Sequence, residues 1–478
     1  MVSIVYSFAV HLVGGMSPAG RQWCRRFICL GALAGIVVSG FTAPASAESL
    51  MDALAHAYRD NPELAAERAR LRATDENLPQ ALAGWRPNLS ADGSVARTHT
   101  KNDLSSGGSA SSNLTTRDFS ITLSQNLFAG FRTINSTKQA EALVAAGREA
   151  LKNVEQNVLF DAVQAYMDVV RDIAVLKLRE NNLKVLQEQL RASNDRFSVG
   201  EITRTDVAQS EASVAAAQSG VASAQAQLNS SRAVYEQVIG SPPNGVSSPG
   251  LPKGLIPISA NQATAQGETY HPAIQAAIFA EQAASFQVDV TTGELLPTVD
   301  LQASLSRSYD PSSTLDRQDS AQVVGRLNVP IYQGGEVSSR VRQAKQTRAQ
   351  RRLEIDLTRR QVRAAIIAAW GQLQAANSQI QSARANIESN NIALNGVREE
   401  ARVGQRTVLD VLDAQQALLD AQVSLAAAER DRVVAAYALV SAVGKLNVDG
   451  LNLRVNRYDP FAHYLQVRNK WFGLTPPE

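Results

Sequence analysis

One tip-like stretch is written twice in this chain, and the two copies never slip against each other. "RFSVGEITRTDVAQSE" (196–211) and "EARVGQRTVLDVLDAQ" (400–415) share a Val-Gly pair, a Thr three residues after the Gly, and an Asp-Val. Gly200 maps to Gly404, Thr203 to Thr407 and Asp206 to Asp410, always 204 positions apart. The offset holds from Phe128 and Tyr332 to Gly240 and Gly444, over one hundred residues without insertion or deletion. A continuous helix imposes such a constraint, because one added residue rotates every later side chain by about 100°.

The helices show their seam. Ala162, Val169, Leu176, Leu183, Leu190 and Phe197 recur every seven residues, and so do Ile366, Leu373, Ile380, Ile387, Leu394 and Ala401. A seven-residue period is the mark of coiled-coil packing. No Pro interrupts Arg132–Ser198 or Glu336–Arg402, so each predicts a helix roughly 100 Å long. Return helices are predicted over about 203–239 and 407–443, half that length. Helices before the strands, about 62–84 and 272–294, are expected to stack on them end to end. Gly200 and Gly404 suit the left-handed position just past a helix. Thr203 and Thr407 suit N-caps, with Asp206 and Asp410 at the third helical position. The repeated motif is first of all a helix-turn-helix tip.

Upstream, "NPELAAERA" from Asn61 resembles "HPAIQAAIF" from His271, and a second Pro follows each, at Pro87 and Pro297. Between these prolines and the long helices lie four alternating segments, about 87–100, 116–129, 297–309 and 320–332. Leu89, Ala91, Gly93 and Val95 oppose Ser90, Asp92 and Ser94; Phe119, Ile121, Leu123 and Leu127 oppose Ser120, Thr122, Ser124 and Asn126. Val299, Leu301, Ala303 and Leu305, then Val323, Leu327, Val329 and Ile331, repeat the pattern. Each segment is long enough to cross a bilayer as a tilted strand of roughly 9–11 residues. "TKNDLSSGGSASSN" and "DPSSTLDRQD" are expected as polar loops between them. Trp85, Phe128, Phe131 and Tyr332 stand where strands meet helices, which fits an aromatic belt. Alternation alone suits a half-buried soluble hairpin equally well.

The remaining features favour the membrane. Residues 1–47 have the form of a secretory signal: "RQWCRRF" is basic, "ICLGALAGIVV" apolar, and "ASA" at Ala45 to Ala47 is a small-residue cleavage site. Met16 can serve as the start. Both cysteines, Cys24 and Cys29, fall in this leader, so a mature chain would lack disulfides, zinc fingers and cysteine nucleophiles. A formal net charge of +2 gives no sign of a nucleic-acid partner. Nothing after the leader is apolar enough for a spanning helix. Four strands cannot close a barrel, and an open sheet edge is untenable in hydrocarbon. Three copies would supply a twelve-stranded pore, and two an eight-stranded barrel filled by its own side chains.

With "VGQRTVLDVLDAQQALLDAQ", "VPIYQGGEVSSRVRQA" and their first-half echoes, the chain resembles the TolC family of outer-membrane channels over about Leu50 to Leu446. The resemblance implies a mainly α chain with a membrane β-barrel portion. It implies a homotrimer whose twelve-stranded barrel, set in outer-membrane lipid, continues as a long periplasmic α-helical barrel. Such a duct serves tripartite efflux pumps and type I secretion, with a periplasmic adaptor protein and an inner-membrane efflux or ABC transporter as partners. It is no enzyme and uses no cofactor. By the same resemblance, Asp410 and Asp413 match the acidic rings of the periplasmic entrance. Arg406 matches its latch, with Thr205 and Asp206 as partners on the first tip. Ala401 stands where the family's characterised member has a latch Tyr. The repeats add an argument of their own. Asp413 aligns with Gln209 and Arg406 with Ile202, so the tip fold needs neither. Asp410 has the capping counterpart Asp206 and stays ambiguous between cap and ring.

An enzyme is one alternative reading. His56, His99, His271 and His463 have no metal-ligand spacing, no nucleotide loop or hydrolase motif is present, and each His is expected as a lone surface or cap residue. The other is a periplasmic coiled-coil adaptor or a trimeric surface structural protein; an adaptor would carry lipoyl-like β segments around one hairpin, whereas this chain has two hairpins and paired amphipathic strands. The first repeat spans 48–240, a Pro/Gly-rich connector 241–262, the second repeat 263–444, and residues 445–478 are expected as an equatorial segment or tail.

Overall fold

The computed structural model describes residues 48–476, apart from 104 and 253. The signal segment 1–47, with both cysteines, lies outside the described residues.

The first repeat comprises α1 (Leu50–Asp60), α2 (Pro62–Asp75), α3 (Asn77–Leu82), a 3-10 turn (Ala83–Trp85), β1 (Asn88–Asp103), β2 (Ser109–Ala129), α4 (Arg132–Ser198) and α5 (Arg204–Ile239). The second comprises α6 (Ala260–Tyr270), α7 (Pro272–Thr292), a 3-10 turn (Gly293–Leu295), β3 (Thr298–Ser312), β4 (Leu315–Asn328), α8 (Glu336–Arg402) and α9 (Val408–Ala442). Two short helices follow, α10 (Val448–Leu451) and α11 (Ala462–Val467).

α4 and α8 each run 67 residues, about 100 Å of unbroken helix. α5 and α9 return along them for 36 and 35 residues. α5 stops at Gly240, whose φ of +89° a side chain would resist. There Asn61 Nδ2 donates to the Val238 carbonyl at 2.8 Å, so α2 begins where α5 ends. The second repeat makes the same joint: a Cβ on Gly444 would lie 3.0 Å from His271 Cα, at the start of α7. Short helices thereby complete the length that the return helices lack.

The heptad positions face inward: Ala162, Val169, Ile366, Leu373, Ile380 and Leu394 are buried and Leu176, Leu183, Leu190 and Ile387 half-buried, whereas Phe197, at the end of α4, is exposed. The largest apolar cluster sits at the joints. It joins Leu54, Leu159, Val163, Tyr166, Tyr235, Tyr437 and Leu446, and the connector lays Leu251, Leu255 and Ile256 against it. Tyr166 Oη lies 2.8 Å from the Glu48 and Ser247 carbonyls and accepts the Ser247 amide at 3.0 Å. This polar tie pins the connector to α4.

The four strands form one antiparallel sheet in the order β1-β2-β3-β4. Toward the base of the sheet, register keeps apolar and polar residues on opposite faces. Ala91 opposes Ile121, Ile121 opposes Leu305 and Leu305 opposes Ala321, while Ser90, Thr122, Ser304 and Gln322 line up on the reverse. Leu89, Phe119, Ile121, Leu305, Val323 and Leu327 stand exposed on the apolar face. A one-residue slip would exchange the faces, so register and solvent assignment are one constraint.

The hairpins differ from the sequence expectation. β1 runs on to Asp103 and β2 starts at Ser109, and β3 and β4 approach to Ser312 and Leu315. The stretches expected as polar loops are therefore mostly strand, for example Thr100 paired with Ser112. Ladder pairing is made by backbone groups, so it continues through polar residues such as Thr100, Lys101, Ser111 and Ser112 without an apolar face. β4 ends at Asn328 instead of near 332, because Pro330 has no amide for the ladder.

At the base of the sheet a bulge between Asn126 and Phe128 precedes Gly130 and Phe131, both with left-handed backbone (φ +60° and +63°). A Cβ on Gly130 would overlap the Gly293 carbonyl oxygen, and one on Gly293 the Gly130 carbonyl oxygen. The first repeat's strand-to-helix corner thus lies backbone to backbone on the second repeat's 3-10 turn.

Residues 445–476 do two things. α10 stays at the central cluster, where the Val448 amide donates to Glu155 Oε1 at 2.8 Å. Beyond it the chain climbs α4 toward the sheet. Arg148 lies between the rings of Phe461 and Tyr464, 3.9 and 4.7 Å from their centroids. Arg468 reaches Glu141 at 3.7 Å, and Arg86 Nη1 donates to the Lys470 carbonyl at 2.7 Å. His463 is no lone surface residue: its Nδ1 is 3.0 Å from Asp75 Oδ2, a carboxylate 1 % exposed. The 388 positions between them hid that partnership.

Candidate functional site: the helical tips

Both tips are built alike. Gly200 and Gly404 take φ of +80° and +76°. The Glu201 amide reaches back to the Arg196 carbonyl and the Gln405 amide to the Glu400 carbonyl, each at 2.9 Å. This closes the incoming helix with a left-handed cap. Thr203 then donates both its amide (2.9 Å) and its hydroxyl (2.7 Å) to Asp206 Oδ2, and its Oγ1 accepts the Asp206 amide at 3.3 Å. Thr407 and Asp410 repeat the box at 2.9, 2.8 and 3.2 Å. Hydrogen bonds from the Thr203 hydroxyl and amide hold the Asp206 carboxyl below the usual carboxylate range. The Thr407 amide and hydroxyl do the same for Asp410.

Asp410 therefore caps its own helix. Asp413, one turn on, makes no hydrogen bond or ion pair among the described residues. It borders a groove of about 340 Å³ between the two hairpins, with Arg179, Asn182, Ser213 and Gln416. Arg406 Nε pairs with Glu400 Oε2 at 2.9 Å, and its Nη1 is 4.0 Å from Asp410 Oδ1. Glu400 raises the Arg406 pKa further above its ordinary value. No bond joins Arg406 to Thr205 or Asp206 among the described residues. The single chain gives Arg406 a partner on its own tip.

The two hairpins do meet, through residues the sequence reading missed. Gln415 Nε2 donates to Asn182 Oδ1 at 3.2 Å, and Arg398 Nη2 donates to Gln415 Oε1 at 2.9 Å. Further up, Arg430 Nε pairs with Asp168 at 2.9 Å. These bonds tie α8 and α9 to α4. A signal was available: Gln415 aligns with Glu211, Arg430 with Ala226 and Asp168 with Gln372. Each breaks the repeat, as Arg406 does.

At the far end, Trp85, Phe131 and Tyr332 are exposed and Phe128 packs edge-on against Phe131 at 5.1 Å. Gln125, at the foot of the apolar face, donates to the Trp85 carbonyl at 2.9 Å, which sets Trp85 at the base of that face. Among the described residues no helix is long and apolar enough to cross a membrane, and no cluster of His, Cys, Asp or Glu could hold a metal ion.

A family model described as "Outer membrane efflux protein" matches residues 53–241 and 268–445, both repeats nearly whole. Outer membrane efflux protein BepC of Brucella suis biovar 1 is 41% identical over 458 residues, 95% of this chain and 98% of that protein. The chain belongs to the outer membrane efflux protein family. Outer membrane protein TolC of Escherichia coli K12 is 26% identical over 88% of this chain and 87% of its own. Among solved structures, the Campylobacter jejuni CmeC outer membrane channel superposes with a TM-score of 0.74 at 16% identity, covering 88% of this chain and 89% of that one. As an outer membrane efflux protein, the chain is an outer-membrane channel, its strands in the membrane and its long helices in the periplasm. The exposed apolar sheet face is the one suited to lipid, and the Ser/Thr face the one suited to a water-filled lumen.

Proposed function

We propose that three copies of this chain form one exit duct that opens at the helical tips. The observation that carries the reading is the four-stranded sheet with one exposed apolar face and two unpaired outer edges, β1 and β4. In hydrocarbon those edges must be paired, and pairing β4 with β1 of the next copy closes the ring. Three sheets make a barrel of twelve strands, wide enough for a channel. The duct performs no chemistry. A periplasmic adaptor and an inner-membrane efflux or ABC transporter deliver the cargo, drugs or type I secreted protein.

The entrance is held by polar contacts between hairpins. Asn182–Gln415–Arg398 and Asp168–Arg430 are the bonds within one chain. Arg406, Thr205 and Asp206 complete the latch between tips when copies assemble. With Ala401 at the place of the family's latch Tyr, charge carries more of the closure than aromatic packing. Asp413, free of any capping duty, lines the narrow end with Asp410 beside it. The mass of the detergent-solubilised channel tests the assembly. A trimer is expected, and a monomer that still conducts would overturn it.

A further inference from the structure

Trp471, Phe472 and Leu474 close the described chain with 65%, 91% and 103% of their surfaces exposed. Three bulky apolar side chains in four positions, each mostly exposed, make an apolar patch of the kind that marks a contact surface. Their level in the molecule is fixed. The Arg86 guanidinium lies 4.9 Å from the Trp471 ring centroid and holds the Lys470 carbonyl at 2.7 Å. Arg86 is two residues from the first residue of β1 and adjoins Trp85, which sits at the foot of the lipid face. The climb along α4, from Arg148 through Glu141, delivers the tail to that height and no further.

We propose that residues 470–476 lie in the headgroup region of the periplasmic leaflet and bind phospholipid there, extending the aromatic belt below the barrel. Trp is the residue most at home at that depth, because its ring is apolar and its N–H is polar. Arg86, Arg468 and Lys470 place cations beside the apolar triplet, the pairing by which interfacial segments hold anionic headgroups. The Lys470 Nζ donates to the Thr475 carbonyl at 2.6 Å, folding the last residues back at one level. The structure thus assigns the chain two membrane contacts: the strands and this tail.

The full-length trimer in vesicles of phosphatidylethanolamine and phosphatidylglycerol, brominated on the acyl chains near the headgroup, tests this. Emission of the native chain minus that of the Trp471→Phe variant isolates Trp471. The difference signal should lose most of its intensity to the bromolipid, as expected of a Trp at headgroup level, and little to aqueous iodide. Quenching by iodide but not by bromolipid would put the tail in water and overturn the proposal. Quenching by neither would mean that a neighbouring copy covers it, which overturns the proposal equally.

Discussion

His271 opens α7 at the joint where α9 ends, and it fills the place that Asn61 fills in the first repeat. Asn61 Oδ1 accepts two amides, Glu63 at 2.8 Å and Leu64 at 3.3 Å; His271 Nδ1 accepts one, Ala273 at 3.2 Å. Burial lowers the His271 pKa below its ordinary value. The sign follows. The folded state keeps the ring neutral while the unfolded chain protonates near pH 6.5, so stability is full above that value and falls as the pH drops through the folded pKa. Protonation removes the Nδ1 acceptor, a cap of about 1 kcal/mol, and sets a cation at the positive end of a helix, costing roughly 0.5 kcal/mol more. The sum, about 1.5 kcal/mol, is roughly a tenfold rise in local opening. Hydrogen exchange of the α7 first-turn amides, corrected for intrinsic rates, should show that loss of protection between pH 7.5 and pH 5. His271→Asn should abolish the pH dependence and match the high-pH protection of the native chain. A native joint that keeps its protection at pH 5, or a variant that loses it as the native chain does, would refute the reasoning.

Other outcomes follow from the same geometry. Arg406→Ser should raise single-channel conductance in planar bilayers; unchanged conductance removes Arg406 from the latch. Arg430→Ala should act in the same direction by freeing α9 from Asp168, read as faster exchange along α9 below the joint. Asp413→Asn should weaken block by periplasmic divalent cations, since hard cations seek several carboxylate oxygens, while leaving tip protection intact. Asp410→Asn should loosen the tip as well, because its carboxylate serves the Thr407 cap; equal tip protection in both variants would contradict that division of labour. Gly130→Ala forces a side chain into left-handed backbone against the Gly293 carbonyl, at a cost above about 3 kcal/mol. It should sharply reduce the heat-modifiable trimer in outer-membrane fractions, whereas native yield would disprove the close approach.

Local rules made the scaffold legible. The heptad seam of α4 and α8, the glycine turns and the Thr–Asp boxes each depend on residues within a few positions of one another, and sequence displays such spacing directly. The two faces of the strands were equally visible, since alternation is a period-two signal. What failed depended on distance or on competition. The polar stretches around 100–113 lacked an apolar face, yet the ladder continued through them because backbone pairing does not need one. The path of the last residues up α4 rests on pairs such as Asp75 with His463 and Arg86 with Trp471, nearly four hundred positions apart. At the entrance, the sequence singled out Arg406 and Asp413 as breaks in the repeat. It could not show that Arg406 finds Glu400 within one chain, nor that Gln415 and Arg430 carry the ties to α4.

The equality of α4 and α8, 67 residues each, has a meaning for how such a duct can change over generations. Both helices leave the foot of the same sheet and end in equivalent turns, so their common length is a gauge of how deep the duct reaches into the cell envelope. One extra residue in either would displace its turn by about 1.5 Å and swing it by about 100°. Only whole heptads, added to both helices and matched in both return helices, preserve the seam. A deeper or shallower envelope can therefore be met only in strides of about 10 Å, each needing four coordinated insertions. Reach in this architecture is granular, and lineages that need finer adjustment must find it in the partner at the far side of the gap.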